Sequence, residues 1–238
     1  MTRTLVECLR LFNRKERYWL IRNALGEKNQ ELPLSNSFRE RLGKVIDTNI
    51  PADAWWALDY HIDWLFGALV LDRTPEDAES KPIENPCVSE ENEPPRRLIR
   101  GNHEDFDFVI AFDRTVVLIE AKGVTSWGNG QLSSKHQRLC EWERFSEQVQ
   151  IGHKKMAEPP RIIVVLMSPK ESGGLSKLDW PKSVNDSGNA AKFLTMDFTG
   201  APEKFRVPER CVVRDEKAKA AFDGDHWHLK SVSRPPSH

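Results

Sequence analysis

Cysteine is scarce and scattered: Cys8, Cys87, Cys140 and Cys211 form no C-x-x-C and no paired Cys/His spacing. That spacing excludes a zinc-ribbon or zinc-finger site, and the thiols are expected to be reduced. Neither sign of charge predominates, with 35 Lys and Arg against 36 Asp and Glu and a formal net charge of -1. No global basic field therefore draws in nucleic acid, and any such binding must come from local patches. Nothing approaches an uncharged apolar run of about 18 residues. The opening MTRTLVECLRLF interrupts its apolar positions with charge and has no small-residue cleavage site. A membrane partner and a leader peptide are thus not expected, and the expected location is cytoplasmic. There is no Walker A, G-x-G-x-x-G or G-x-S-x-G motif and no internal repeat, which removes the P-loop, dinucleotide-binding, serine-hydrolase and solenoid readings.

What is present suits a globular α/β protein. The 238 residues, 39% of them hydrophobic, can bury a real core, and a single domain is expected. Its parts are a helical N-terminal stretch at 1–71, an acidic Pro-rich loop at 72–95, a core at 96–167, and a loop with C-terminal strands at 168–238. In the first part, Leu5, Leu9, Phe12, Trp19 and Leu20 share a face, which predicts a helix over 4–25 that stops at Gly26. Further helices are predicted over 35–47 and 53–71, the latter apolar nearly all round and so buried. Asp59, His61 and Asp63 fall in that last helix, where alternate side chains diverge by about 200° and do not form a metal site.

The loop carries Pro75, Pro82, Pro86, Pro94 and Pro95, with seven acids from Glu76 to Glu93 against one base in that span, Lys81. Arg96, Arg97 and Arg100 follow, and Arg100-Gly101-Asn102 is a candidate phosphate-contacting turn. A helix is predicted over 131–150 with Leu132, Leu139, Trp142, Phe145 and Val149 inward, and Lys135 and His136 near that side. The apolar run 161–167 reads as a central strand. Short strands are predicted over 193–196, 206–213 and 227–232, with a frayed tail at 233–238.

The stretch 105–122, DFDFVIAFDRTVVLIEAK, holds the chemistry. Two runs rich in Val, Ile and Phe flank Asp113-Arg114, which predicts a hairpin. A two- or four-residue loop gives one register: Ala111 faces Val116, Asp107 faces Glu120, and Asp105 faces Lys122. Opposed residues share a face, so these four charged groups would form one patch. Opposed carboxylates on apolar strands repel and lose hydration, which a divalent cation such as Mg²⁺ would offset, with a lysine nearby to orient a water. The alternative is an ion-paired hairpin in which Lys122 bridges Asp105 or Glu120.

An acid, about a dozen residues of hairpin and then Glu-x-Lys, here Asp107 and Glu120-Ala121-Lys122, resembles the signature of the PD-(D/E)xK phosphodiesterase superfamily, the restriction-endonuclease-like nucleases. The resemblance covers residues 97–167; Phe106 stands where the family name has Pro. It implies a restriction-endonuclease-like core, a mixed β-sheet flanked by helices in the order helix, three strands, helix, strand, here with an N-terminal helical extension. It also implies a nuclease using Mg²⁺ or Mn²⁺ on nucleic acid, DNA in preference to RNA, leaving a 5′-phosphate. Asp107, Glu120 and the carbonyl of Ala121 would hold the cation, and Lys122 would position the attacking water. Glu16, expected to be partly buried beside Phe12 and Leu20, is a reserve acid, and Asp105 a reserve ligand. Gln131, Lys135 and Gln137 at the start of the following helix are candidate phosphate contacts. A homodimer is compatible with this reading.

Overall fold

The computed structural model describes residues 3–26, 32–74, 82–85, 87–88, 94–101, 104–123, 127, 130–148, 160–171, 178–185, 190–214 and 217–233. Their contacts group the chain into two compact units. The first comprises 1–121, 127–167 and 172–194; the second comprises 122–126, 168–171 and 195–238.

In the first unit the predicted helix over 4–25 is two helices, α1 (Leu5–Phe12) and α2 (Glu16–Leu25). A capping box opens α1: Thr4 accepts from the Glu7 amide at 3.2 Å while Glu7 Oε2 accepts from the Thr4 amide at 2.7 Å. Asn13 ends it in an extended conformation. The physical cause of the break lies in unequal burial. Leu5, Cys8 and Leu9 place one face of α1 in the core, whereas α2 buries Tyr18 alone and leaves Leu20 67% exposed. The next helix, α3 (Asn36–Ile46), matches expectation, with Ser35 capping its start and Asp47 in the left-handed region at its end.

The predicted helix over 53–71 is half strand. Trp55–His61 forms β1, and α4 begins only at Ile62 and runs to Leu71. Trp55 and Ala57 join one core cluster while Trp56 packs against the other, the alternation of a strand buried on both faces. Asp59 then takes φ 47, a left-handed turn of the backbone just before the helix. Such an apolar run carries no helical period to separate its strand half from its helix half.

Two-residue strands β2 (Cys87–Val88), within the stretch read from sequence as loop, and β3 (Arg96–Arg97), just after it, pair with each other. Then come β4 (Asp105–Phe112), β5 (Thr115–Ala121), α5 (Gln131–Gln148), β6 (Arg161–Ser168) and β7 (Lys192–Thr195). The sheet order is β1-β4-β5-β6-β7; β1, β4 and β5 are antiparallel, and β5 and β6 run parallel through the α5 connection. Leu5 and Leu9 of α1, most of α4 and the inner side of α5 cover one face. Leu42 and Ile46 of α3 cover the other. Both faces are dry, so β5 and β6 read as continuous apolar runs. This is an α/β fold with a mixed sheet flanked by helices. Val149, expected on the inner side of α5, lies outside the described residues.

The second unit holds an antiparallel sheet of order β10-β8-β9, from β8 (Lys204–Arg214), β9 (Lys217–Ala220) and β10 (His226–Ser233). β9 was not predicted; its Lys-Ala alternation has no apolar side to signal a strand. Gly224 is required where the chain turns from β9 into β10, because a Cβ there would lie 2.3 Å from the Cys211 carbonyl oxygen. Ser233 belongs to β10, and the rest of the expected tail lies outside the described residues. Among the described residues no helix is long and apolar enough to cross a membrane.

Candidate active site

The β4–β5 hairpin has the expected register. Phe112 pairs with Thr115, Ala111 with Val116, and the ladder runs to Phe108 and Ile119. Asp113 and Arg114 form the two-residue loop, with Asp113 at φ 46 supplying the reversed turn that Asn or Gly would otherwise provide. By the same count Asp107 stands opposite Glu120. At that level, however, the strands stop exchanging backbone bonds, and Oδ2 of Asp107 accepts from the Ala121 amide at 2.7 Å. Here a carboxylate takes the place of a main-chain acceptor. The facing pattern changes at the same point, since Phe106 lies in the cluster that also holds Val109 and Ala111.

Glu120 continues the face of Val116 and Leu118, beneath α5, and is 2% exposed. Its Oε2 accepts from Nζ of Lys135, itself buried one helical step from Leu132 and Leu139 and lying 5.4 Å from the centre of the Phe106 ring. Spacing alone placed Lys135 on the inner side of α5 but offered it as a phosphate contact; the fold makes it the cation of a buried pair. Lys122, one residue past β5, is half-buried.

The reserve residues do not converge on this point. Asp105 pairs with Nζ of Lys15 at 3.1 Å, a partner that sequence spacing did not suggest. Glu16 is exposed at the first turn of α2, because the break at Asn13 separates it from the buried face of α1 and Leu20, on its own helix, is itself exposed. Gln137 is exposed on α5, and the side chain of Gln131 lies outside what is described. His136 contacts the Asp179 carbonyl oxygen through Nε2 at 2.8 Å.

The expected phosphate turn at Arg100-Gly101 is also taken. Both amides donate to Oδ2 of Asp63, at 3.0 and 2.6 Å, so a protein carboxylate already sits where an anion would. Oδ1 of Asp63 accepts from Arg138 at 2.6 Å, and Arg138 also donates to the Leu98 carbonyl at 2.8 Å. Burial pulls the Arg138 guanidinium below its usual pKa, with Asp63 opposing. Arg100 pairs with Glu141 on the same helix, and Arg96 lies 3.5 Å from the same carboxylate. This network ties β3 and the chain leading into β4 to α4 and α5. Asp59, His61 and Asp63 are separated, as expected, though for a different reason: Asp59 pairs with Arg17 at 2.8 Å and His61 stacks on Trp64.

Among the described residues no three His, Cys, Asp or Glu side chains gather as a metal-binding group. Asp107, Glu120 and the Ala121 carbonyl, the set expected from the sequence, are all oxygen donors of the kind Mg²⁺ takes; in the structure Glu120 is paired with Lys135, and Asp107 accepts from the Ala121 amide. No protein-family model, curated protein or solved structure matches the chain.

Proposed function

We propose that the protein is a Mg²⁺- or Mn²⁺-dependent phosphodiesterase acting on nucleic acid, DNA in preference to RNA. The feature that carries this reading is the order of the acids and lysine, Asp107 and then Glu120-Ala121-Lys122, on a hairpin whose paired register runs to Phe108 and Ile119, one step short of Asp107 and Glu120. The succession α3, β1, β4, β5, α5, β6 supports it, since it runs in the order of a restriction-endonuclease-like core, with α4, β2 and β3 inserted after the first strand.

In this reading Asp107 and Glu120 bind the cation together with the Ala121 carbonyl. The bound cation supplies Lewis acidity toward a phosphoryl oxygen and lowers the pKa of a coordinated water. Lys122, assigned by the Glu-x-Lys spacing, holds the attacking water and balances charge developing on the phosphate. Lys135 supplies the opposite charge beside Glu120 while the cation is away.

A second reading has its own support. The Lys135–Glu120 pair and the Asp107–Ala121 hydrogen bond are what a non-catalytic module with an ion-paired hairpin would use. A cleavage assay separates the two, run with Mg²⁺ and with Mn²⁺ on supercoiled, linear and single-stranded DNA and on RNA, beside Glu120→Ala and Lys122→Ala. Cleavage by the natural chain that both variants lose supports the phosphodiesterase. No cleavage of any substrate supports the binding module.

A further inference from the structure

The second unit presents a cationic sheet face, and we infer that this face binds single-stranded nucleic acid. Along β8, Lys204, Arg206, Arg210 and Arg214 stand at even positions and therefore on one side. Register adds to the same side, because Arg214 pairs with Lys217, and Val212 with Lys219, on β9. From β10 come Trp227, opposite Arg210, and Leu229, opposite Pro208. Trp227 is 64% exposed and Leu229 57%. Among the described residues this face bears six Lys and Arg and no Asp or Glu. Asp215 and Glu216, which join β8 to β9, lie outside the described residues.

The opposite face shows why the charge is one-sided. Glu209 points there, accepting from Lys230 at 2.8 Å and contacting His228 at 3.1 Å, so the acid of β8 is matched on its own side. These partners hold the Glu209 carboxyl below its usual pKa. A whole-chain charge of -1 therefore conceals a local cationic surface.

The chemistry favours a single strand. Lys204 and Arg206, and Lys217 and Lys219, stand two apart at about 6.8 Å, and Arg206, Arg210 and Arg214 four apart at about 13.6 Å, a spaced row of cations suited to a chain of phosphates. Arg210 is held in place, donating to the Gly224 carbonyl through Nε at 3.1 Å and Nη2 at 2.9 Å, beside the exposed indole of Trp227. A fixed guanidinium next to an open aromatic face offers base stacking, which unpaired bases can reach and a closed duplex cannot. This surface stands apart from the phosphodiesterase reading and would bind whether or not the first unit cleaves.

The test uses the full chain with EDTA present. Fluorescence anisotropy follows a labelled oligothymidylate of about 16 nucleotides and a duplex of the same length, titrated from about 50 to 200 mM salt. The single strand is expected to bind more tightly than the duplex, with affinity falling as salt rises. Arg206→Glu with Arg214→Glu should weaken binding at least about tenfold and reduce the salt slope by about 1.4. Trp227→Ala should weaken single-strand binding by about fivefold or more while changing duplex binding less. Lys230→Gln, on the opposite face, should alter it by less than about twofold. Because EDTA removes the cation, binding is read with cleavage silent, so loss of cleavage and loss of binding are separate results. The inference is overturned by absence of salt-dependent binding, or by equal losses in the Lys230 and Arg206/Arg214 variants. Binding to phosphatidylserine vesicles but not to the oligonucleotide would also overturn it.

Discussion

Nζ of Lys135 donates to Oε2 of Glu120 in the closed layer between β5 and α5, with both side chains almost fully buried. Removing the cation strands a carboxylate. Lys135→Met should cost about 3–5 kcal/mol of unfolding free energy in urea, and adding Glu120→Gln to it should recover most of the loss. If Asp107 and Glu120 bind a cation, Mg²⁺ should raise the melting temperature of Lys135→Met more than that of the natural chain, since the ion takes over the missing charge.

Asp107 separates structure from chemistry because an amide can keep its hydrogen bond without its charge. Asp107→Asn should stay within about 0.5 kcal/mol of the natural chain by retaining an acceptor for the Ala121 amide, whereas Asp107→Ala should lose about 1 kcal/mol. Under the phosphodiesterase reading both variants lose metal-dependent cleavage. Retained cleavage in Asp107→Asn would remove Asp107 from the site.

Asp63 anchors the entry to the hairpin through two amides and one guanidinium. Asp63→Ala leaves Arg138 charged and buried without its partner, and should cost about 3–5 kcal/mol. Hydrogen exchange read by NMR should show the Arg100 and Gly101 amides losing protection first, ahead of the β5 and β6 core.

Alkaline stability should depend on Tyr60. Burial raises its phenol pKa well above the ordinary value, and its hydroxyl donates to the Leu9 carbonyl at 2.9 Å. The native state therefore keeps this proton after the unfolded chain has lost it. Its contribution is fully present below about pH 10 and declines as pH rises beyond that. Tyr60→Phe should lose about 1 kcal/mol at neutral pH and show a shallower decline above pH 10 in thermal unfolding series.

The hairpin was legible before folding because its information is local: a two-residue loop and a period of two determine which residues face each other. The β5-α5-β6 order was legible for a similar reason, from one amphipathic run between two apolar ones. The β1–α4 segment was not. From Trp55 to Leu71 no residue is exposed, and burial on every side erases the periodicity that tells strand from helix.

Local sequence thus determined the strands of the hairpin, its two-residue loop and the register from Phe112–Thr115 to Phe108–Ile119. Only the tertiary structure decided the partners of the charged groups: Lys135 for Glu120, Lys15 for Asp105, and Asp63 for the Arg100–Gly101 turn. It also decided that the Lys and Arg residues of β8 and β9 gather on one sheet face despite the near-neutral whole. The reason is physical. Register needs only neighbours along the chain, whereas a buried charge is matched by whatever side chain packing brings within reach, however distant in sequence.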